Sequence, residues 1–474
     1  MAQFELGKVL KTNFGAPIKI IKYLAGGGQG DVYEVEYEGE KKALKWYKKD
    51  APDVSLLQFT LPNVCKLKMR IPELVLPEAF VTECDDGWGY LMELLSIGDK
   101  FYSLEDYLPH VTVIQKHKLP KVSFSSSAAK IDACISLVNV IRTLHNHGYT
   151  YVDLSGKNLY IDPCNGDIRL TDCDSVFTSG TEIRTVGTSG YAPPEVVDKH
   201  WWANEPMTGR IKRNGKYGIV CNPNSTRFSL AVILFQILCG YHPLEVPSFW
   251  TIPILTNDWF KKIYGLDAKF VFDDWDDNSG EFAFSRDLES RRVPDYVKDA
   301  FDDLKSRWSI LPKELKDLFV IAFSQSSIKD PNRRPRETEW LKVLTNYRSA
   351  CAMCICGSEV LVNKGANAVC DKCGQQIDVH QLIIGSNVPL PVARGSRIYQ
   401  CQIRFCDAKE ALYPFALVVS KPNDVNFVGL RNMTRCKWDV VTPKGDLQIV
   451  ESMEVVPFAK GTIIKCFGTN IELS

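Results

Sequence analysis

No apolar run in this chain approaches the roughly eighteen residues needed to cross a bilayer. No charge excess exists either: Lys+Arg and Asp+Glu each number 57 in 474 residues. The first absence argues against a membrane span. The second removes the basic field that would recruit nucleic acid or an anionic membrane surface. The segment Met1 to Lys11 lacks the charged-then-apolar pattern of a secretory signal. Internal repeats and low-complexity stretches are missing too. Sixteen cysteines are too few in a chain of this length for a disulfide scaffold, and most are scattered. The expectation is a cytoplasmic protein with reduced thiols and neither nucleic acid nor membrane as partner.

What is present is the composition of a globular protein, 45% hydrophobic and 24% charged, in a chain long enough for two or three domains. Residues from about 15 to 95 read as short strands with tight turns: Ile18 to Leu24, Asp31 to Tyr37, Lys42 to Tyr47, Leu76 to Thr82 and Trp88 to Leu94. Helical spacing follows over Ser126 to Asn146, Arg227 to Leu238 and Pro335 to Tyr347. Beyond Cys373 the texture is β-rich again, over Ile398 to Phe405, Ala416 to Val419, Trp438 to Val441, Leu447 to Val450 and Thr462 to Phe467.

The chemistry-bearing residues come in a fixed order. The glycine cluster Ala25-Gly26-Gly27-Gly28-Gln29-Gly30-Asp31-Val32 lies between two strands, where glycines let a hairpin lie flat on a triphosphate and offer N–H donors. Lys45, on the next strand, is placed to neutralise α- and β-phosphates. In Tyr151-Val152-Asp153-Leu154-Ser155-Gly156-Lys157-Asn158 an Asp precedes an Asn by five residues, and Asp172-Cys173-Asp174 follows a short hairpin later. One carboxylate can serve a hydroxyl nucleophile, while the Asn amide oxygen and the second carboxylate hold magnesium on a triphosphate. Gly187-Thr188-Ser189-Gly190-Tyr191-Ala192-Pro193-Pro194-Glu195 and Asp330-Pro331-Asn332-Arg333-Arg334-Pro335 complete the series.

In this order the motifs resemble the eukaryotic-type (Hanks-type) protein kinase family over residues 15 to about 348. The resemblance implies an α+β bilobal kinase fold, with an N-lobe at about 15–95 and a C-lobe at about 96–348 of a 1–348 domain. It implies that Ala25, Gly26, Gly27, Gly28, Gly30 and Val32 cover the nucleotide, that Met92 is the gatekeeper, and that Glu93 and Leu95 bound the adenine-contacting hinge. Lys45 would hold the α/β-phosphates, Asp153 would be the catalytic base, and Asn158 and Asp172 would bind magnesium, or manganese in its place. Glu195 and Arg334 would tie the activation segment to the C-lobe.

The departures are specific. No Glu lies between Lys45 and Glu73, so the helix-C Glu that orients the strand lysine has no obvious counterpart. Pro62 is expected to interrupt that helix, and Gln58, Asn63 or Asp53 would have to substitute unless Lys45 is positioned differently. Val152 replaces the Arg that grips an activation-loop phosphate, so activity is expected without that contact. Asp174 replaces a Gly. Ser155 stands where Ser/Thr kinases carry Lys, and Lys157, four residues after the base, is the cation available to the γ-phosphate. Thr188 favours Ser/Thr specificity. Thr226 replaces a helix-F Asp, so the loop is expected to lack a buried anchor. Trp201-Trp202 suit either a docking surface or loop packing. His145 and His147 read as packing or surface residues.

Five cysteines fall within residues 351–373. Two knuckles, each closed by a glycine, can set four thiolates around a structural zinc. Cys354, Cys356, Cys370 and Cys373 are the preferred set, with Cys351 an alternative member of the first knuckle. A zinc ribbon at 349–380 and a sandwich-like all-β domain at 381–474 are therefore expected. Gly429 to Gly468 resembles the second half of a forkhead-associated-type β-sandwich, although that family's phosphothreonine-gripping Gly-Arg and Ser are not identifiable. The whole order resembles bacterial eukaryotic-like kinases encoded beside a metal-dependent phosphatase, which would be a partner. The expected function is ATP- and magnesium-dependent phosphotransfer to protein Ser/Thr, including the chain's own. The alternative is a nucleotide-binding pseudokinase switch, or an adaptor acting through the C-terminal modules.

Overall fold

The computed structural model describes residues 4–26, 30–47, 54–67, 71–81, 87–114, 116–183, 187–200, 219–253, 256–273, 293–362, 368–385, 389–406, 408–421 and 424–474. Gly27, Gly28, Asp53, Trp201 and Trp202 lie outside the described residues.

Alternating side chains build an antiparallel sheet from β1 (Val9–Lys11), β2 (Pro17–Gly26), β3 (Gly30–Tyr37), β4 (Glu40–Tyr47), β5 (Ala79–Val81) and β6 (Trp88–Glu93), in the order β1-β2-β3-β4-β6-β5. On β4 the two-residue period sends Leu44 and Trp46 into one core with Phe4, Ile18, Tyr33 and Leu91. Ala43, Lys45 and Tyr47 share the opposite face, where Ala43 and Tyr47 join the core that continues into the rest of the domain. A helix, α1 (Val54–Val64), packs there through Leu57, Thr60, Leu61 and Val64. Contrary to expectation, α1 runs through Pro62. The proline sits in the last turn, so few backbone bonds are lost, and burial at helical spacing outweighs them.

The second lobe is organised by α2 (Ser127–Asn146), α3 (Pro194–His200) and α4 (Pro223–Cys239). The Ser126 side chain caps α2 by accepting from the Ala129 N–H. α4 is apolar on all sides and buried nearly throughout, and Gly240 ends it at φ 82°. Short strands Tyr149–Tyr151 and Leu159–Ile161 flank the Asp153 loop, and Ile168–Leu170 leads into Asp172. Helix Glu337–Ser349 lies on α2, held by Arg348 Nε to Asp132 at 3.0 Å.

Past this helix, Cys351–Met353 pairs antiparallel with Glu359–Leu361 over a small core that includes Cys354, Val360 and Cys370. Then come two antiparallel sheets, one of six strands and one of four, facing each other across Leu382, Phe415, Val418, Leu430, Trp438 and Ile464. Phe415 stacks on Trp438 with centroids 4.7 Å apart. Within Ile398 to Phe405 the expected strand is mostly absent. The strand Arg397–Tyr399 gives way to a helical turn at Gln400–Ile403, because the Gln402 side chain accepts from the Tyr399 N–H at 2.7 Å and caps the turn. Among the described residues no helix is long and apolar enough to cross a membrane.

Candidate active site

The site forms where the Ala43/Lys45/Tyr47 face of β4 meets the loops around Asp153 and Asp172. Gly26 and Gly30 bound the glycine hairpin at the ends of β2 and β3, with Ala25 on β2 and Val32 on β3 opposite Lys45. A Cβ at Gly30 would run into the Trp46 carbonyl, so the close approach to β4 requires glycine there. Met92 is buried opposite Ala43, Glu93 is exposed at the end of β6, and Leu95 is half-buried just beyond.

Asp153 is held by backbone geometry. The Val152 N–H donates to the Ser175 carbonyl at 2.8 Å, and Asn158 Nδ2 donates to the Asp153 carbonyl at 2.9 Å. That bond leaves the Asn158 amide oxygen available. Asp153 Oδ1 is buried and has no hydrogen-bond partner among the described residues. A Cβ built on Gly187 would lie 3.7 Å from this oxygen, so the activation-segment backbone passes close by. Burial pushes the Asp153 carboxyl above its ordinary range, hydrogen bonds from the Thr188 side chain and backbone pull it down, and the charges of Asp172 and Asp174 push it up. Lys157 is exposed beside this loop, and the Ser155 side chain is buried.

Tyr151, at the position before Val152, is fully buried and donates its hydroxyl proton to the Thr171 carbonyl. Thr226 is buried below it, and its Oγ1 donates to the Tyr151 carbonyl at 2.9 Å. The loop therefore keeps an anchor on α4, contrary to the expected loss. A hydroxyl can donate to this carbonyl, which an ionised carboxylate could not, and it places no extra charge in the core.

Lys45 is where the sequence reading was incomplete. Its Nζ lies 3.0 Å from Asp172 Oδ1 and 3.1 and 2.9 Å from Asp174 Oδ1 and Oδ2. Tyr47 donates a hydrogen bond to Asp174 Oδ2, and Lys45 Nζ lies 5.6 Å from the Tyr47 ring centroid. Burial alone would lower the Lys45 ammonium, but Asp174 and then Asp172 outweigh it and hold it above its ordinary value. The Asp172 backbone is left-handed, φ 54°, and starts the 3-10 turn Cys173–Ser175 that turns both carboxylates toward Lys45. Gln58 is exposed, and Asn63 is bonded to Lys66 at 2.8 Å, so neither serves Lys45. The available signal was an acid two residues past Asp172 in a chain with no acid along α1.

Glu195 and Arg334 form a bidentate pair at 3.0 and 2.6 Å, and Arg334 also donates to the Asn224 carbonyl at 2.8 Å. Separately, Sγ atoms of Cys354, Cys356, Cys370 and Cys373 all lie within 4.8 Å of one another. Gly357 and Gly374 follow the knuckles at φ 83° and 71°. The Ser358 hydroxyl and N–H lower the Cys356 thiol to about 6. Cys351 stays outside this group, buried with Sγ facing the Tyr347 carbonyl at 3.8 Å.

The model of the protein kinase domain matches residues 20–283, more than half of the chain. The chain belongs to the protein kinase family. Its kinase segment is similar to serine/threonine-protein kinase SBK2 of Mus musculus, 30% identical over 29% of this chain and 33% of that protein. Beta-adrenergic receptor kinase 1 of Mesocricetus auratus is 26% identical over 34% of this chain and 19% of its own length. Serine/threonine-protein kinase pim-2 of Danio rerio is 26% identical over 23% and 30%. The chain thus spans a third or less of these relatives' lengths.

Proposed function

We propose that the chain is an ATP- and magnesium-dependent protein kinase that phosphorylates Ser or Thr hydroxyls of a protein substrate, itself included. The observation that carries this reading is the buried Asp153 Oδ1 with no partner among the described residues, in a loop shared with Asn158 and within the field of Asp172. A buried polar atom without a partner is unfavourable unless a ligand completes it, and here the missing partner is a substrate hydroxyl. The Asp153 carboxylate, made more basic by burial, takes the hydroxyl proton. The hydroxyl oxygen bonds to the γ-phosphorus as the bond to the β-phosphate oxygen breaks and ADP leaves.

Lys45 neutralises the α/β-phosphates, and the exposed Lys157 is free to meet the γ-phosphate. The Asn158 amide oxygen and the 40%-exposed Asp172 side chain are oxygen donors of the kind magnesium takes. When bound, the metal would neutralise phosphate charge. Gly26 and Gly30, with Gly27 and Gly28 between them, cover the nucleotide in this reading, and Glu93 to Leu95 meet adenine.

The four thiols fit a structural zinc, whose tetrahedral thiolates stand about 3.8 Å apart when each Zn–S bond is about 2.3 Å. Sulfur pairs at 3.5 and 3.6 Å support that fit. Ribbon and sandwich then serve regulation or substrate selection, and the reading extends to a cytoplasmic kinase opposed by a metal-dependent phosphatase. Incubating the chain with γ-labelled ATP and magnesium tests the core of it. Label is expected on phosphoserine or phosphothreonine, with Asp153→Ala and Lys45→Ala losing it. Label on tyrosine alone, or equal labelling of Asp153→Ala, would contradict it.

A further inference from the structure

We propose that Asp174 is the resident counter-ion of Lys45, positioning its ammonium for the phosphates from the metal-binding turn while α1 takes no part. The proposal rests on the kinase reading of the site.

Two carboxylates meet Lys45, and burial distinguishes them. The Asp172 side chain is 40% exposed, whereas that of Asp174 is 2% exposed. An exposed carboxylate can turn to a metal at little cost. A buried one that loses its only cation is left uncompensated, which is strongly unfavourable. Asp174 is bound on both oxygens by Lys45 and on one by Tyr47, so its charge is met from a single strand, β4. The two-residue strand period puts Lys45 and Tyr47 on one face, and the turn begun by left-handed Asp172 delivers Asp174 to that face. Burial and the Asp174 charge raise the Tyr47 hydroxyl well above its ordinary value, so Tyr47 remains a donor.

On α1 nothing competes for this role. The helix has no acidic residue, and its buried side is Leu57, Thr60, Leu61 and Val64. In this arrangement the lysine and the metal ligand are set by one rigid turn. Movement of α1 then has no charge pair to make or break.

The experiment uses the full chain and two readouts. One is kcat and KM for ATP. The other is the pH dependence of Lys45 acylation by an acyl-phosphate derivative of ATP, which needs no turnover. Asp174→Asn is expected to lower kcat/KM for ATP about 10²-fold, the size of effect expected for a misplaced reacting group. It is also expected to move half-maximal acylation of Lys45 to lower pH, because the amine loses the charge that keeps it protonated. Tyr47→Phe, which keeps the ring, the fold and the Asp174 charge, is expected to lower kcat/KM by less and to leave Lys45 acylation at no lower pH than in wild type. Gln58→Ala is expected to change neither. An unchanged acylation profile in folded Asp174→Asn, or an unchanged kcat/KM in Tyr47→Phe, would overturn the proposal. An inactive wild type whose acylation profile still shifts with Asp174→Asn would support the pairing while contradicting the kinase reading alone.

Discussion

At Asp153 three neighbours set the chemistry. Burial and the acids Asp172 and Asp174 favour the proton, and Thr188 favours the carboxylate. A raised carboxyl must lose its proton before it can act as a base, so activity should rise with pH through its shifted pKa. Thr188→Val removes the side-chain hydrogen bond and leaves the backbone one. The acid limb of kcat/KM against pH is therefore expected to move to higher pH. Thr188→Ser should leave the limb in place, and an unmoved limb in Thr188→Val would count against Asp153 as the base. This scale also shows what a sequence can carry. Asp153, Asn158 and Asp172 were legible because their roles depend on short, ordered spacings. Asp174 was not, because its partner lies 129 positions away on β4 and the two meet only after a left-handed turn at Asp172. Thr226 was misread as a loss because its hydroxyl anchors the loop through a different bond, donated to the Tyr151 carbonyl, which a carboxylate could not make.

Between elements a buried tie beyond the site joins α2, α4 and helix Glu337–Ser349. Glu337 Oε1 is 2.9 Å from His145 Nδ1 and accepts from Arg227 Nε at 2.8 Å, with Arg227 Nη2 at 3.2 Å from the other oxygen. Burial would raise this carboxyl, but the bonds from His145 and Arg227 hold it down at about 2. The sign follows from that depression. The contribution to stability is full above the ordinary Glu value and is lost as pH falls toward the depressed one. Glu337→Gln, which leaves Arg227 uncompensated in a mostly buried setting, is expected to destabilise the kinase domain by about 3 kcal/mol. Urea denaturation at neutral pH measures it, and the difference from wild type should narrow in acid. A difference that is the same at both pH values would contradict the assignment. His145, taken from the sequence as a packing or surface residue, is buried and is one of the two partners of Glu337. Helix and strand types were mostly legible from periodicity. The misreadings at Pro62 and at Ile398 to Phe405 arose where packing overrode a helix breaker and where a Gln402 cap overrode β propensity.

Across the whole molecule, the C-terminal modules are fastened to the kinase lobe. The Glu359 carboxylate, on the strand between the cysteine knuckles, accepts from the Ser127 and Ala128 N–H groups at 2.7 and 3.0 Å, at the start of α2. Asp132 on α2 binds both Arg348 and Tyr399. Arg142 Nη2 donates to the Cys406 carbonyl at 3.0 Å. An anion on two free N–H groups at a helix start is favourable through both the hydrogen bonds and the helix dipole. Glu359→Gln should therefore lower the stability of the kinase lobe by about 1–2 kcal/mol, seen as a lower thermal midpoint. An unchanged midpoint would mean that the ribbon is merely tethered.

The central claim is that Asp153 performs phosphotransfer in a site that binds ATP independently of it. Nucleotide affinity and transfer of labelled γ-phosphate, measured side by side on wild type and Asp153→Asn, test it most directly. The account predicts equal ATP binding by both, with transfer reduced about 10²- to 10⁴-fold in the variant. Tight binding without transfer by the wild type would contradict it.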